Sequence, residues 1–346
     1  MRSPVKKVLV TGAAGFIGSH VARYLADRGH QVVALDDLSG GYTANVPLKA
    51  NFVKGSVTDT ALLDRLFKKN HFEVVFHLAA YAAEGLSHFV RAFNYHNNVV
   101  GSMNLISRAI EYKCKTFVFT SSIAVYGASQ LPASEDMTPR PEDPYGIGKY
   151  AVELDLEAMN RMFGINYVIF RPHNVYGEGQ NIGDPFRNVV GIFMRQILAG
   201  EKLTIFGNGK QTRAFSHIDD VAPLIAKSAW NPKAKNRIFN IGANKPYSVN
   251  ELAKAVCESM KVKPRIEYLP ARHEVLHAYS DHRKIQKVFG PQKSVSLEEG
   301  IARMALWVKK TGFRKSRVLP PVEVWEKLPV GWEKVLLKAG QRKKNK

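Results

Sequence analysis

Cysteine is nearly absent from this chain of 346 residues: only Cys114 and Cys257 occur, each among apolar or helix-type neighbours. With no Cys-x-x-Cys pair and no cysteine–histidine cluster, a disulfide framework and a structural zinc site are excluded as the basis of the fold, and no metal is expected. Long hydrophobic runs are lacking too. No apolar stretch approaches the roughly 18 residues needed to span a bilayer, and the N-terminal MRSPVKKVLVTG runs into a predicted strand rather than through a signal sequence. A cytoplasmic protein with no membrane partner is the expectation.

Acidic residues are the third shortage. There are 30 Asp and Glu against 50 Lys and Arg, a formal charge of +20. Residues 309–346 hold 12 Lys or Arg against 3 Glu, a net of +9, so nearly half the excess sits in a C-terminal extension ending QRKKNK. A solvated basic tail explains that distribution without a groove for nucleic acid, which is therefore not the expected partner.

What is present reads as an enzyme of the α/β class. The 45% hydrophobic and 10% aromatic content is that of a globular chain long enough for a cofactor domain and a smaller second lobe. Strands predicted at 8–10, 31–37, 74–78, 116–120 and 165–171 alternate with helices at 16–28, 89–112 and 143–163. That alternation predicts a doubly wound, Rossmann-type parallel sheet. After about residue 174 the pattern loosens into Gly/Asn clusters and helices near 187–199, 219–230, 248–261 and 296–311. The expected division is a cofactor domain over 1–174 to which later segments return, a smaller α/β substrate-binding lobe mainly over 175–312, and a basic extension over 313–346.

Gly12, Gly15 and Gly18, with Phe16 and Ile17 between the last two, lie where a first strand passes into a first helix. Glycine permits the tight turn and lets backbone N–H groups approach a pyrophosphate, which the helix N-terminus also favours. Asp36 closes the second strand 18 positions beyond Gly18, where a carboxylate can bind both ribose hydroxyls and repel a 2′-phosphate. NAD rather than NADP is the predicted cofactor.

Tyr145 and Lys149 share one helical face through their i,i+4 spacing. A phenol titrating near 10 becomes a usable base when an ammonium and a positive nicotinamide ring favour the phenolate. Such a pair also arises by chance, so its context matters. Ser121 and Ser122 end the 116–120 strand at the carboxyl edge of the sheet, where ligands of such folds bind.

In series, GAAGFIG (12–18), HLAA (77–80), NNVVGS (97–102), TSSIAVYG (120–127), YGIGK (145–149) and RPHNVYG (171–177) resemble the extended short-chain dehydrogenase family. The closest group is the nucleotide-sugar 4-epimerases of the UDP-glucose 4-epimerase type. The likeness continues through IFGNGKQTRAFSHIDDV (205–221) and ARHEVLHAYSDHRKI (271–285), and so covers residues 5–311.

The resemblance implies that Tyr145 is the general base, Lys149 its activator and Ser122 the partner of the reacting sugar hydroxyl. It places Leu78, Ala79, Ala80 and Asn98 along the cofactor, with Ser56 and Val57 at the adenine. It gives Asn174, Asn188 and Phe206 to the nucleotide-sugar, and Arg213 and Arg272 to its pyrophosphate, which guanidinium geometry suits. Asp281 would support its loop. Ala278, three positions before Asp281, would border the sugar's C2 substituent and leave room for an N-acetyl group.

Ile123 and Ala124 stand beside the substrate where 4,6-dehydratases carry an acidic pair and decarboxylases a glutamate. Neither residue can transfer protons. Epimerisation at C4 of a UDP-hexose or UDP-N-acetylhexosamine, through a transient 4-keto sugar, is therefore the expected reaction. The family also implies a homodimer built on the helices at 89–112 and 143–163. Ser56 replaces the family's usual acid, a lysine of some epimerases is matched by Ala82, and residues 81–93 fit no particular sugar. Two alternatives stay open: another oxidoreductase of the family (C4 reductase, dehydrogenase or decarboxylase), or a non-catalytic scaffold for nucleotide or RNA. The basic tail is expected to be dispensable for chemistry.

Overall fold

Val8, Leu9 and Val10 have no exposed surface, as a strand covered on both faces requires. They form the middle of β1 (Lys7–Thr11) in a computed structural model that describes residues 5–292, 294–313 and 319–341. β1 is joined in one sheet by β2 (Gln31–Asp36), β3 (Asn51–Lys54), β4 (Val74–His77), β5 (Thr116–Thr120), β6 (Asn166–Pro172) and the strand Arg237–Ile241. From edge to edge the order is Arg237–Ile241, β6, β5, β4, β1, β2, β3, and every pairing is parallel. The sequence of strands reverses direction between β1 and β4, and ligands of such sheets bind at the carboxyl ends beside that point.

Alternate residues build two cores. Val8, Val10, Val32 and Phe76 face α1 (Phe16–Asp27) and the helix Ile218–Ser228. Leu9, Val33, Val75 and Phe117 face the helices Thr60–Asn70, Gly101–Glu111 and Pro144–Phe163. The last of these starts sharply because Asp143 accepts from the Gly146 N–H and Pro144 opens the first turn, and it stops at Gly164 in the left-handed conformation.

A third core belongs to the smaller lobe, where the helices Val189–Leu198, Val249–Met260 and Leu297–Thr311 pack together with the strand Leu203–Phe206. The strand Arg237–Ile241 and β3 were not expected from the sequence. β3 has only Phe52 and Val53 between polar residues, too short a run to show a period.

Two expectations are corrected. The helix read over 89–112 is Arg91–Tyr95, then a π-helical turn His96–Val100, then Gly101–Glu111. The C-terminal extension is not a solvated tail through residues 319–341. Leu319, Val322, Trp325, Leu328, Trp332, Val335 and Leu336 pack onto Tyr81, Leu86, Val90, Phe186 and Phe206. Trp325 and Trp332, which the sequence offers as caps for an apolar surface, belong to an apolar series among the charges, and burying that series outweighs solvating its neighbours. Among the described residues no helix is long and apolar enough to cross a membrane.

Candidate active site

The turn between β1 and α1 brings the chain against β4. Gly12 sits at φ +67°, and a Cβ there would lie 2.7 Å from the Ala79 nitrogen; a Cβ on Gly18 would collide with the Gly12 carbonyl oxygen. Only glycine fits both positions. Thr11 Oγ accepts from the Leu78 and Ala79 N–H groups at 3.2 Å and meets His77 Nδ1 at 2.7 Å, tying the end of β4 to β1. Asp36 is buried, with its two oxygens accepting from the Ala14 N–H at 3.0 Å and the Leu38 N–H at 2.8 Å. Burial pushes its carboxyl upward, and those N–H groups oppose the shift.

A cleft of about 1170 Å³ runs from this turn along the carboxyl edge into the smaller lobe. Gly12, Gly15, Phe16, Ile17, Gly18, Asp36, Ser56, Val57, Leu78, Ala79 and Ala80 line its cofactor end. Asn98 does not. Its amide is buried and grips the Tyr81 backbone, accepting from the N–H at 2.8 Å and donating to the carbonyl at 3.1 Å. Asn97 lines the cleft in its place, because the wide π turn rotates the helix surface by a fraction of a turn.

Ser122, Tyr145 and Lys149 converge at the centre of the cleft. The Ser122 hydroxyl accepts from the Ala124 N–H at 3.1 Å and stands beside the Tyr145 phenol, whose ionisation it favours. Lys149 Nζ donates to the Thr120 carbonyl at 2.8 Å and stands 4.8 Å from the Phe119 ring and 5.7 Å from that of Tyr145. Burial lowers Lys149 to about 7 against the pull of Glu153. Burial also raises the Tyr145 phenol, with Ser122 opposing and Glu84 and Asp143 adding to the rise.

The far end holds Asn174, Asn188, Phe206, Arg213 and Arg272. The Asn188 amide caps the helix Val189–Leu198 at the Val190 N–H and donates to the Val175 carbonyl at 2.9 Å, so it shapes the wall. Arg213 and Arg272 meet at Glu274, at 3.5 and 3.1 Å, and Arg213 also donates to the carbonyls of Thr212, Val275 and Leu276. Ile123, Ala124 and Ala278 line a side pocket of about 90 Å³ together with Tyr279, and Ser122, Asn174 and Arg213 border both spaces. Asp281 accepts from Arg283 and lies outside the cleft.

The model of the NAD dependent epimerase/dehydratase family matches residues 8–242. The chain belongs to that family. The UDP-glucose 4-epimerase of Mycolicibacterium smegmatis is 38% identical over 310 residues, 86% of this chain and 96% of its own. That of Halalkalibacterium halodurans is 32% identical over 321 residues, 88% of this chain and 96% of its own. The solved UDP-glucose 4-epimerase of Thermotoga maritima with UDP-glucose has a TM-score of 0.84 at 36% identity, covering 88% of this chain and 99% of that one.

NAD is the cofactor of this family member, and the crowding at Gly12 and Gly18 leaves the bare-backbone cradle that a pyrophosphate requires. Sequence reasoning missed three residues of the site. Glu84 is exposed to both the cleft and the side pocket, and the protein around it, with Asp143 adding, pushes its carboxyl upward. Arg187 lies over the Tyr81 ring at 5.4 Å, and Trp332 enters from the extension. No periodic or spaced pattern marks any of them.

Proposed function

We propose that this epimerase/dehydratase inverts C4 of a UDP-linked hexose or N-acetylhexosamine. The observation that carries the reading is that Ser122, Tyr145 and buried Lys149 line the same cleft, with Ile123 and Ala124, whose side chains hold no exchangeable proton, next to Ser122. When bound, NAD supplies the hydride acceptor at C4 and a positive ring that favours the Tyr145 phenolate. Tyr145 takes the proton of the C4 hydroxyl and returns it after the sugar has turned. Ser122 holds the sugar oxygen, and its hydroxyl beside the phenol favours ionisation. Lys149 is fixed by the Thr120 carbonyl on the same helical face as Tyr145, where its protonated form favours the phenolate. Asn174, Arg213 and Arg272 hold the nucleotide end while the ketone rotates.

Residues 1–174 with the returning strand 237–241 serve the cofactor, and most of 175–312 serves the substrate. The working form is a homodimer. Exposed Val100, Ile147 and Leu154, at 44%, 43% and 48%, put an apolar stripe on the two helices through which the family pairs. Light scattering should give twice 38.7 kDa; a monomer at micromolar concentration would contradict it. Cytoplasmic residence fits two free, buried cysteines.

NMR of UDP-, dTDP- and GDP-hexoses incubated with enzyme and NAD tests the reaction. A mixture of C4 epimers with no net NADH is expected. Accumulating NADH would instead make the chain a dehydrogenase.

A further inference from the structure

Residues 319–341, outside the span of the family's motifs, pack back onto the cleft. Val330, Gly331, Trp332, Val335, Lys338 and Ala339 form part of its wall. Trp332 is 7% exposed and meets the rings of Phe186 at 4.9 Å and Phe206 at 6.3 Å. The Arg272 guanidinium lies 4.8 Å from the Phe206 ring and 5.6 Å from that of Trp332, in the corner made by a ring of the lobe and a perpendicular ring of the extension. Glu274 holds one edge of that guanidinium at 3.1 Å, and its Nε has no hydrogen-bond partner among the described residues.

Two further contacts seat the extension. A Cβ on Gly85 would come within 3.2 Å of the Trp332 ring, so the small residue beside Glu84 is what lets the indole approach. Glu323 accepts from the Ala92 and Phe93 N–H groups at 2.9 and 3.0 Å, at the positive start of the helix Arg91–Tyr95.

Resting on the reading of the substrate as a nucleotide-sugar, we propose that the extension completes its binding site, with Trp332 positioning Arg272 for the diphosphate. An arginine with a long side chain has many rotamers, and seating its guanidinium against two aromatic rings removes that freedom before substrate arrives. Trp332 acts through Arg272 and takes no part in proton or hydride transfer. Its loss weakens binding and leaves the chemical step.

The test compares full-length wild type, Trp332→Ala, Trp332→Phe and Glu323→Gln. Steady-state kinetics with a UDP-hexose, calorimetric titration of UDP, retained NAD and thermal melting are the readouts. Trp332→Ala should raise KM and the UDP Kd about tenfold with kcat within about twofold, and Trp332→Phe should recover most of the loss. Glu323→Gln, at a residue that does not itself line the cleft, should give a smaller rise in both and leave NAD content unchanged. If Trp332→Ala does not fold, Glu323→Gln carries the test. Lower melting temperatures with wild-type KM and UDP affinity would overturn the proposal. A wild type that binds UDP and turns over no nucleotide-sugar would instead overturn the function on which it rests.

Discussion

Glu153 and Arg171 form a two-pronged ion pair behind the catalytic helix, Nε to Oε1 at 3.0 Å and Nη2 to Oε2, with side chains only 1% and 2% exposed. Glu153 follows Lys149 by one helical turn on the face that carries Tyr145, and it also accepts from Ser121, the neighbour of Ser122. The pair therefore sets helix Pro144–Phe163 against the ends of β5 and β6, which fixes Tyr145 relative to Ser122.

Removing one partner leaves a buried charge without compensation. Glu153→Ala should cost about 3–5 kcal/mol, seen in chemical denaturation. A cost below about 1 kcal/mol would mean that water replaces the carboxylate.

Tyr145→Phe deletes only the phenolic oxygen at the cleft centre. Turnover should fall by more than about 99%, at least ~2.7 kcal/mol of barrier, with NAD retention and melting temperature unchanged. Lys149→Met should be comparably damaging and also loosen NAD, whereas Ser122→Ala should be milder. Near wild-type rates in Tyr145→Phe would remove the phenol from the mechanism.

NAD should bind in preference to NADP because a buried carboxylate at Asp36 repels a 2′-phosphate. Asp36→Ala should narrow the gap mainly by weakening NAD, since it also frees the Ala14 and Leu38 N–H groups. Titration of both cofactors into the apo-protein checks this, and equal wild-type affinities would show that Asp36 does not face the ribose.

Three histidines should make the fold acid-sensitive. Burial lowers His77 to about 3, with Lys149 contributing; it lowers His173 to about 4; and it lowers His282 to about 3, with His173 adding. The unfolded chain binds their protons as pH falls through the ordinary histidine value near 6.5, while the folded chain refuses them until pH 3–4. Their stabilisation is thus complete above about pH 7 and lost progressively below it, by about 2 kcal/mol per histidine at pH 5. Urea midpoints that do not fall between pH 7.5 and 5 would contradict this.

Ala278 and Tyr279 both border the side pocket next to Ile123 and Ala124. The small side chain of Ala278 leaves room for an N-acetyl group, so UDP-N-acetylhexosamines should be accepted alongside plain UDP-hexoses. Ala278→Tyr should lower kcat/KM for UDP-GlcNAc about a hundredfold relative to UDP-Glc, as an overfilled pocket does. An unchanged ratio would assign that border to another residue.

Local spacing explains which parts of the site were legible. Tyr145 and Lys149 share a face because of the helical repeat, and the glycines announce their turn because no side chain fits there. Asn98 shows the limit of that reasoning: a regular helix would present it to the cleft, but the π turn presents Asn97. Glu84 belongs to a short irregular segment that no period describes, and the cleft is where that segment ends up.

The sequence by itself determined the doubly wound sheet, the glycine turn after β1, the acid that closes β2 and the pairing of Tyr145 with Lys149 on one helical face, since each depends on residues within a few turns of one another. Only the tertiary structure decided that Glu84 opens onto the side pocket, that Arg213 and Arg272 share Glu274, and that Trp332 packs beside Arg272. Those contacts join segments far apart in the chain, and their positions follow from which apolar faces bury one another rather than from any pattern along the sequence.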